Sequence, residues 1–153
     1  MEKEVNLLII ALEFPPYNSA GSYRPYFFAK HLAELGMNVT VLAVDLSSEL
    51  QSNNRKLLED LPSNVKIEWL ENPKARYESI SRGFKGKVLH YLKTDDLWAL
   101  LLKKEVKQKF EYIVRKYSIN TALITIPAFS FPRLFIPLLK KLKIPFVLDM
   151  RDH

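Results

Sequence analysis

Three charged residues, Asp149, Arg151 and Asp152, follow an apolar run near the end of the 153-residue chain. In a strand, alternation would place Asp149 and Arg151 on the same side, and unpaired charges are costly to bury. Either these side chains contact a substrate, or an arginine–aspartate ion pair closes the strand. Ligands of open α/β sheets bind beyond the carboxyl ends of the strands. We therefore predict a role for all three in catalysis or substrate contact.

The second candidate segment is a proline-containing loop over residues 13–21, which leads into a helix. It exceeds the usual strand-to-helix connection of about two to six residues. Its glycine precedes the helix N-terminus, where free N–H groups favour a phosphate. We predict Ser19, Ala20 and Gly21 as phosphate-binding residues; the alternative is that Gly21 only supplies a backbone angle. Neither a dinucleotide fingerprint nor a P-loop motif is present.

Arg24 is predicted in the first turn of that helix, because Ser22 can act as the N-cap and Pro25 is tolerated in a first turn. These two residues place the helix start near Tyr23. An arginine at this end opposes the helix dipole, so its position suits an anionic partner. The alternative is a surface ion pair, for example with Glu13.

The elements that must position these residues follow from the apolar runs. Continuous runs predict strands, and three- and four-residue spacings predict helices. The sequence predicts an α/β fold with a doubly wound parallel sheet, Rossmann-like, in the order 3-2-1-4-5, so that the switch point lies between strands 1 and 4. A single domain covers residues 1–153. The strands are expected near residues 5–12, 38–44, 65–69, 121–126 and 146–150, and the helices near 22–35, 94–117 and 128–142, with a weak helix within 47–63.

Aromatic and leucine side chains are assigned to packing. Phe27, Phe28, Leu32 and Leu35 share one apolar face of the first helix. Gly36 stands where a left-handed cap is expected. The aromatic residues predicted on core faces are Trp69, Trp98, Tyr112 and Tyr117.

Composition limits the chemistry. The absence of cysteine excludes a disulfide framework, a thiol nucleophile and a cysteine metal site, and three scattered histidines make no metal constellation, so no metal is predicted. The formal net charge of +6 favours an anionic partner. The first residues do not resemble a signal peptide, and the apolar run after them is too short to span a bilayer. A cytoplasmic location is predicted.

Residues 74–93 are basic and aromatic. Such a composition fits peripheral contact with an anionic membrane surface, here the inner face of the membrane. It also fits a solvated, irregular crossover whose apolar residues cover the sheet, which is the favoured interpretation. No nucleic-acid module frames the aromatic residues, so no nucleic-acid partner is predicted.

Three segments together resemble a known family. They are Phe14-Pro-Pro16 with the Ser-Ala-Gly and Arg24 that follow, residues 31–41, and residues 145–152. Over about residues 5–152 the chain resembles the N-terminal half of a retaining glycosyltransferase of the two-Rossmann-domain (GT-B) type, family 4. The likeness is strongest to bacterial members that build surface polysaccharides.

The resemblance implies transfer of a sugar from a nucleoside-diphosphate sugar to a glycan or lipid-linked acceptor, usually without metal and with no cofactor beyond the donor. Ala20-Gly21 would approach the donor diphosphate, and the end of the fifth strand would face the sugar. Where many relatives carry a functional histidine, this chain has Arg151. The donor-binding half is absent from residues 1–153, so no activity is expected from them alone.

Two classes of function remain. The first is the acceptor-side domain of a sugar transferase. The second is a non-catalytic module of the same fold that binds carbohydrate or a membrane surface, which likeness of fold does not exclude.

Overall fold

The computed structural model describes residues 4–47, 54–72, 94–126 and 130–150. Its elements, in chain order, are β1 (Asn6–Ile10), α1 (Ala20–Glu34), β2 (Asn38–Val44), α2 (Lys56–Glu59), β3 (Val65–Leu70), α3 (Thr94–Lys116), β4 (Thr121–Ile126), α4 (Ser130–Lys141) and β5 (Phe146–Met150). Arg151, Asp152 and residues 74–93 lie outside the described residues, so the predictions made for them remain predictions.

The strands form a parallel sheet in the order β3-β2-β1-β4-β5, which confirms the predicted doubly wound α/β architecture. β1 lies in the middle, and its Leu8 pairs in register with Thr40 of β2 on one side and Ala122 of β4 on the other. Leu8, Ile9 and Ile10 are fully buried. Their burial on both faces is the reason this segment is a continuous apolar run.

Helices cover the two faces of the sheet unequally. On one face, α1 packs Tyr26, Ala29 and Ala33 over the side chains of β1 and β2. On the other face, α3 and α4 pack side by side, and the rings of Phe110 and Phe135 meet with centroids 6.1 Å apart. Among the described residues, no helix is both long enough and apolar enough to cross a membrane.

Helix α1 begins earlier than predicted. Ser19 is its N-cap: the Ser19 Oγ accepts a hydrogen bond from the Ser22 N–H at 3.1 Å, and the Ser22 Oγ in turn accepts one from the Ser19 N–H at 3.3 Å. This reciprocal capping box satisfies two helix-end donors. The predicted start near Tyr23, with Ser22 as the cap, is therefore wrong. Pro25 lies inside the helix, beyond its first turn.

The apolar face predicted for α1 is only partly correct. Phe28 and Leu32 pack partly buried against the core, whereas Phe27 is 47% exposed and Leu35 is 77% exposed. The helix turns the smaller Ala29 and Ala33 toward the sheet instead, and small side chains allow the helix backbone to approach closely.

The structure confirms only some of the aromatic residues that were assigned to packing. Trp69 and Tyr117 pack against the core as predicted. Tyr112 is 49% exposed, so its assignment to a core face is wrong. Its ring lies near the ammonium groups of Lys109 and Lys116, at 5.9 and 5.0 Å, and cation–π contacts of this kind allow an aromatic ring to remain at the surface. The side chain of Trp98 lies outside the described part of the chain.

Strand β5 is an open edge. In the described residues it pairs with β4 alone, and Val147 and Met150 are 62% and 65% exposed. On the α1 side of the sheet, an apolar groove of about 520 Å3 runs between α1 and β5, lined by Leu7, Leu123 and Val147 among others. No described helix covers this part of the sheet, because α4 packs on the opposite face.

An ion-pair cluster ties the other edge of the sheet to α3. The Glu68 carboxylate on β3 accepts hydrogen bonds from the Tyr117 hydroxyl at 2.9 Å and the Lys116 ammonium at 3.2 Å, and it pairs with Lys109 at 2.7 Å. Burial alone would raise the pKa of Glu68, but these hydrogen bonds outweigh it and hold the pKa below its ordinary value.

The Glu68 cluster should make folding stability depend on pH. A lowered folded-state pKa stabilises the protein above the unfolded-state value of about 4.3, and this stabilisation is lost as the pH falls through the folded-state value. Glu68→Gln should lower the free energy of unfolding by about 1–2 kcal/mol at pH 7, and the deficit should shrink below about pH 4. Urea unfolding of both proteins at several pH values measures this difference in the free energy of unfolding. Glu59→Gln, at an exposed position of α2, serves as the control. An equal loss of unfolding free energy in the two variants would contradict the prediction.

Candidate functional site

An ion pair joins the start of α1 to the end of β5 at the carboxyl edge of the sheet. The Arg24 Nε donates to the Asp149 Oδ2 at 2.7 Å, and the Arg24 Nη2 donates to the Asp149 Oδ1. The Asp149 side chain is only 10% exposed, whereas that of Arg24 is 50% exposed. β4 lies between β1 and β5, so the pair spans the crevice at the predicted switch point. The ion pair suggested for Arg24 is therefore present, with Asp149 as a partner.

A second carboxylate lies at the N-terminus of α1. The Glu13 Oε2 accepts a hydrogen bond from the Ser19 Oγ. A Cβ atom placed on Gly21 would lie 1.9 Å from that oxygen and 2.8 Å from the Glu13 Cδ. The first turn of α1 contains no acidic residue, so Glu13 supplies from the loop the negative charge that a helix N-terminus favours.

The requirement for glycine at position 21 is therefore explained by the close approach of the Glu13 carboxylate, and not by a special backbone angle. It is the second residue of α1. Among the described glycines, the positive φ belongs to Gly36, at +90°, where the left-handed cap was predicted. The interpretation that Gly21 supplies a special turn angle is wrong. The absence of a side chain at Gly21 instead leaves room for a carboxylate above the helix end.

The structure brings most of the predicted site residues to one edge. Ser19 caps α1, Ala20 and Gly21 form its first two positions, and Arg24 lies one turn further along. Asp149 comes to them from the last strand, whereas Arg151 and Asp152 lie outside the described residues. Sequence reasoning had considered Glu13 only as an ion-pair partner of Arg24.

The site is polar and contains one guanidinium and two carboxylates. The Arg24 guanidinium also stacks over the Phe28 ring at 5.6 Å, which fixes its orientation. Within the described ranges, no group of three or more histidine or acidic side chains is arranged to hold a metal ion. The apolar groove beside β5 reaches Asn120 and Thr121 at the amino ends of the strands, so it opens away from Arg24 and Asp149.

Comparisons with known proteins bear on the fold alone. No protein-family model matches the chain, and no curated protein matches it. Among solved structures, the C-terminal domain of the hydrogenase PF1911 from Pyrococcus furiosus is similar, with a TM-score of 0.59 and 14% identity over 97% of this chain and 93% of that one. A second structure of that domain gives a TM-score of 0.48 at 18% identity, over 97% and 95% of the two chains. The first of these likenesses supports the α/β architecture.

The contact between Arg24 and Asp149 should be measurable as a coupling energy. A double-mutant cycle with Arg24→Gln and Asp149→Asn should give about 0.5–1 kcal/mol in the free energy of unfolding, because the pair is bidentate but half open to solvent. Urea denaturation of the four proteins provides the values. Additive effects of the two substitutions would show that the pair does not stabilise the fold.

Proposed function

We propose that this chain is the N-terminal, acceptor-side domain of a retaining GT-B glycosyltransferase of family 4. Its reaction would transfer a sugar from a nucleoside-diphosphate sugar to a glycan or lipid-linked acceptor. One observation carries the proposal: the capped N-terminus of α1 with Gly21, the guanidinium of Arg24 and the carboxylate of Asp149 meet at the carboxyl edge beside the switch point. Ligands of open α/β sheets bind at this position.

The groups at this edge match the charge of the proposed donor. The N–H groups of α1 and the helix dipole favour a phosphate, and the Arg24 guanidinium, whose Nε and Nη2 hold Asp149, would add a charge-assisted contact to a phosphate oxygen. As the bond between the sugar and the diphosphate breaks, negative charge develops on the leaving diphosphate, and fixed positive groups stabilise it. In this proposal Ser19, Ala20, Gly21 and Arg24 form one wall of the donor-phosphate site.

The carboxylates receive separate roles in the proposal. Both oxygens of Asp149 accept from Arg24, so Asp149 orients that guanidinium rather than acting as a free base. Arg151 and Asp152 follow directly in the chain and are proposed to face the sugar and the acceptor hydroxyl. Glu13 occupies the space above Gly21 and would turn away when the diphosphate enters.

A donor-binding domain is required to complete the cleft, since transition-state stabilisation and water exclusion need both walls. Residues 1–153 alone should therefore bind nucleoside-diphosphate sugars more weakly than micromolar and should not transfer sugar. Calorimetric titration with several such donors measures the affinity. Micromolar binding by these residues would contradict the proposal that donor binding requires the second domain.

In the enzyme that contains both domains, Gly21→Val should reduce turnover by more than about tenfold, which corresponds to about 1.4 kcal/mol in the barrier. The new side chain would occupy the space above the helix end. It should lower the thermal midpoint only slightly, because the atom that it meets first is the end of the flexible Glu13 side chain. His31→Val, at an exposed position of the same helix, should leave turnover unchanged. If the thermal midpoint and the turnover of Gly21→Val fall together, Gly21 has only a structural role.

A further inference from the structure

Two helices, α3 and α4, form a strongly basic part of the described fold. Residues 102–145, which hold most of α3 and α4, contain ten lysine and arginine residues and two glutamates. Residues 74–93, which lie outside the described residues, are basic as well. Since α3 and α4 pack on the same face of the sheet, the charge of these two helices lies on one side of the described fold.

The cations of these helices point outward. We call the exposed side chains of Lys103, Lys104 and Lys107 on α3, together with Lys140 and Lys141 on α4, the basic layer. The apolar positions of both helices face the sheet, as in Phe110 and Phe135, so amphipathic packing leaves the lysines on the opposite surface.

Among the described carboxylates, none forms an ion pair with the lysines at the centre of the basic layer. Lys109 and Lys116, on the flank of α3, pair with Glu68. Across the residues that the structure describes, Lys104, Lys107 and Lys140 make no ion pair. Their charge is therefore available to an external partner.

Apolar and amphipathic side chains are also exposed on or just beyond these two helices. Tyr112 is 49% exposed on α3, between Lys109 and Lys116. Leu142, which follows Lys141 directly, is 44% exposed. Lysines with an exposed tyrosine and leucine form the composition that binds at the headgroup level of a bilayer, where the apolar groups enter the interface and the ammonium groups meet lipid phosphates.

We propose that the basic layer is the surface through which this protein docks on an anionic phospholipid membrane. Eight of the ten cations in residues 102–145 are lysine, a compact charge suited to diffuse attraction, whereas nucleic-acid recognition favours the planar fork of arginine. An exposed leucine gains nothing from a phosphate backbone, but it does gain from burial in the interface. These features favour lipid over nucleic acid.

Docking in this way would orient the candidate site. α3 has 23 residues and is about 34 Å long at 1.5 Å per residue, so it can lie flat on the surface beside α4. Ser130 begins α4 soon after the carboxyl end of β4. The edge with Arg24 and Asp149 would then stand at the side of the docked protein, near the membrane plane. Membrane binding itself does not depend on the proposed sugar transfer.

Co-sedimentation with phosphatidylcholine vesicles that contain one-third phosphatidylglycerol tests the proposal. The layer variant combines Lys104→Gln, Lys107→Gln and Lys140→Gln. The control variant combines Arg55→Gln, Lys56→Gln and Lys66→Gln, which removes the same charge from exposed positions outside the layer. Partitioning of the layer variant should fall about tenfold or more, since each lysine at an anionic surface contributes roughly a fivefold factor. Partitioning of the control variant should fall less than about threefold, since its charges are distant and screened.

Several results would overturn the proposal. The first is an equal loss of partitioning in the two variants, and the second is equal binding to vesicles of phosphatidylcholine alone. The others are no binding to the anionic vesicles at low salt, and tighter binding to a DNA duplex than to these vesicles. Thermal midpoints close to that of the unsubstituted protein confirm that all variants are folded. Because no sugar transfer is measured, failure here leaves the proposed function standing, and failure of transfer leaves membrane docking standing.

Discussion

Strand β1 is hydrogen bonded on both sides and buried on both faces, and the arrangement of the rest of the structure depends on this position. From β1 the chain builds outward to β2 and β3 with α1 on one face, and then returns to β4 and β5 with helices on the other. The connections on the two sides of β1 diverge, so a crevice opens at its carboxyl end. The loop before α1 and the end of β5 reach the same edge for this reason.

Electrostatics at that edge reflects how little water reaches the Asp149 side chain. Asp149 is nearly buried, and a carboxylate with so little solvent needs a cation. Arg24 provides that cation from the opposite end of the sequence, and it thereby joins the first helix to the last strand. Glu13 meets the parallel need of a helix end for negative charge. The two contacts stand about one helical turn apart on α1, so the start of this helix meets one carboxylate from its own loop and another from β5.

The sequence was sufficient to predict the strands and their order, because buried parallel strands need continuous apolar runs, and Gly36 marked the end of α1. It misplaced the start of α1, since Pro25 suggested a first turn while the reciprocal bonds of Ser19 and Ser22 fixed an earlier one. The partners of Arg24 and Glu13 could not be derived, because they depend on the path of a loop and on a contact between residues 125 positions apart. The sequence showed which residues carry charge, but not which of them form ion pairs or hydrogen bonds with one another.

The open edge of β5 affects how the protein behaves in concentrated solution. Within the described part of the chain, the outer edge of β5 has no strand partner, and such an edge with apolar side chains on both faces can act as a template on which a second chain adds a strand. Val147, Leu148 and Met150 give this edge little charge of its own, so the net charge of +6 provides the main repulsion between two copies. Salt shortens the range of that repulsion to about 10 Å at 0.1 M. Colloidal stability is therefore greatest at low ionic strength, and any segment that covered β5 would remove this dependence.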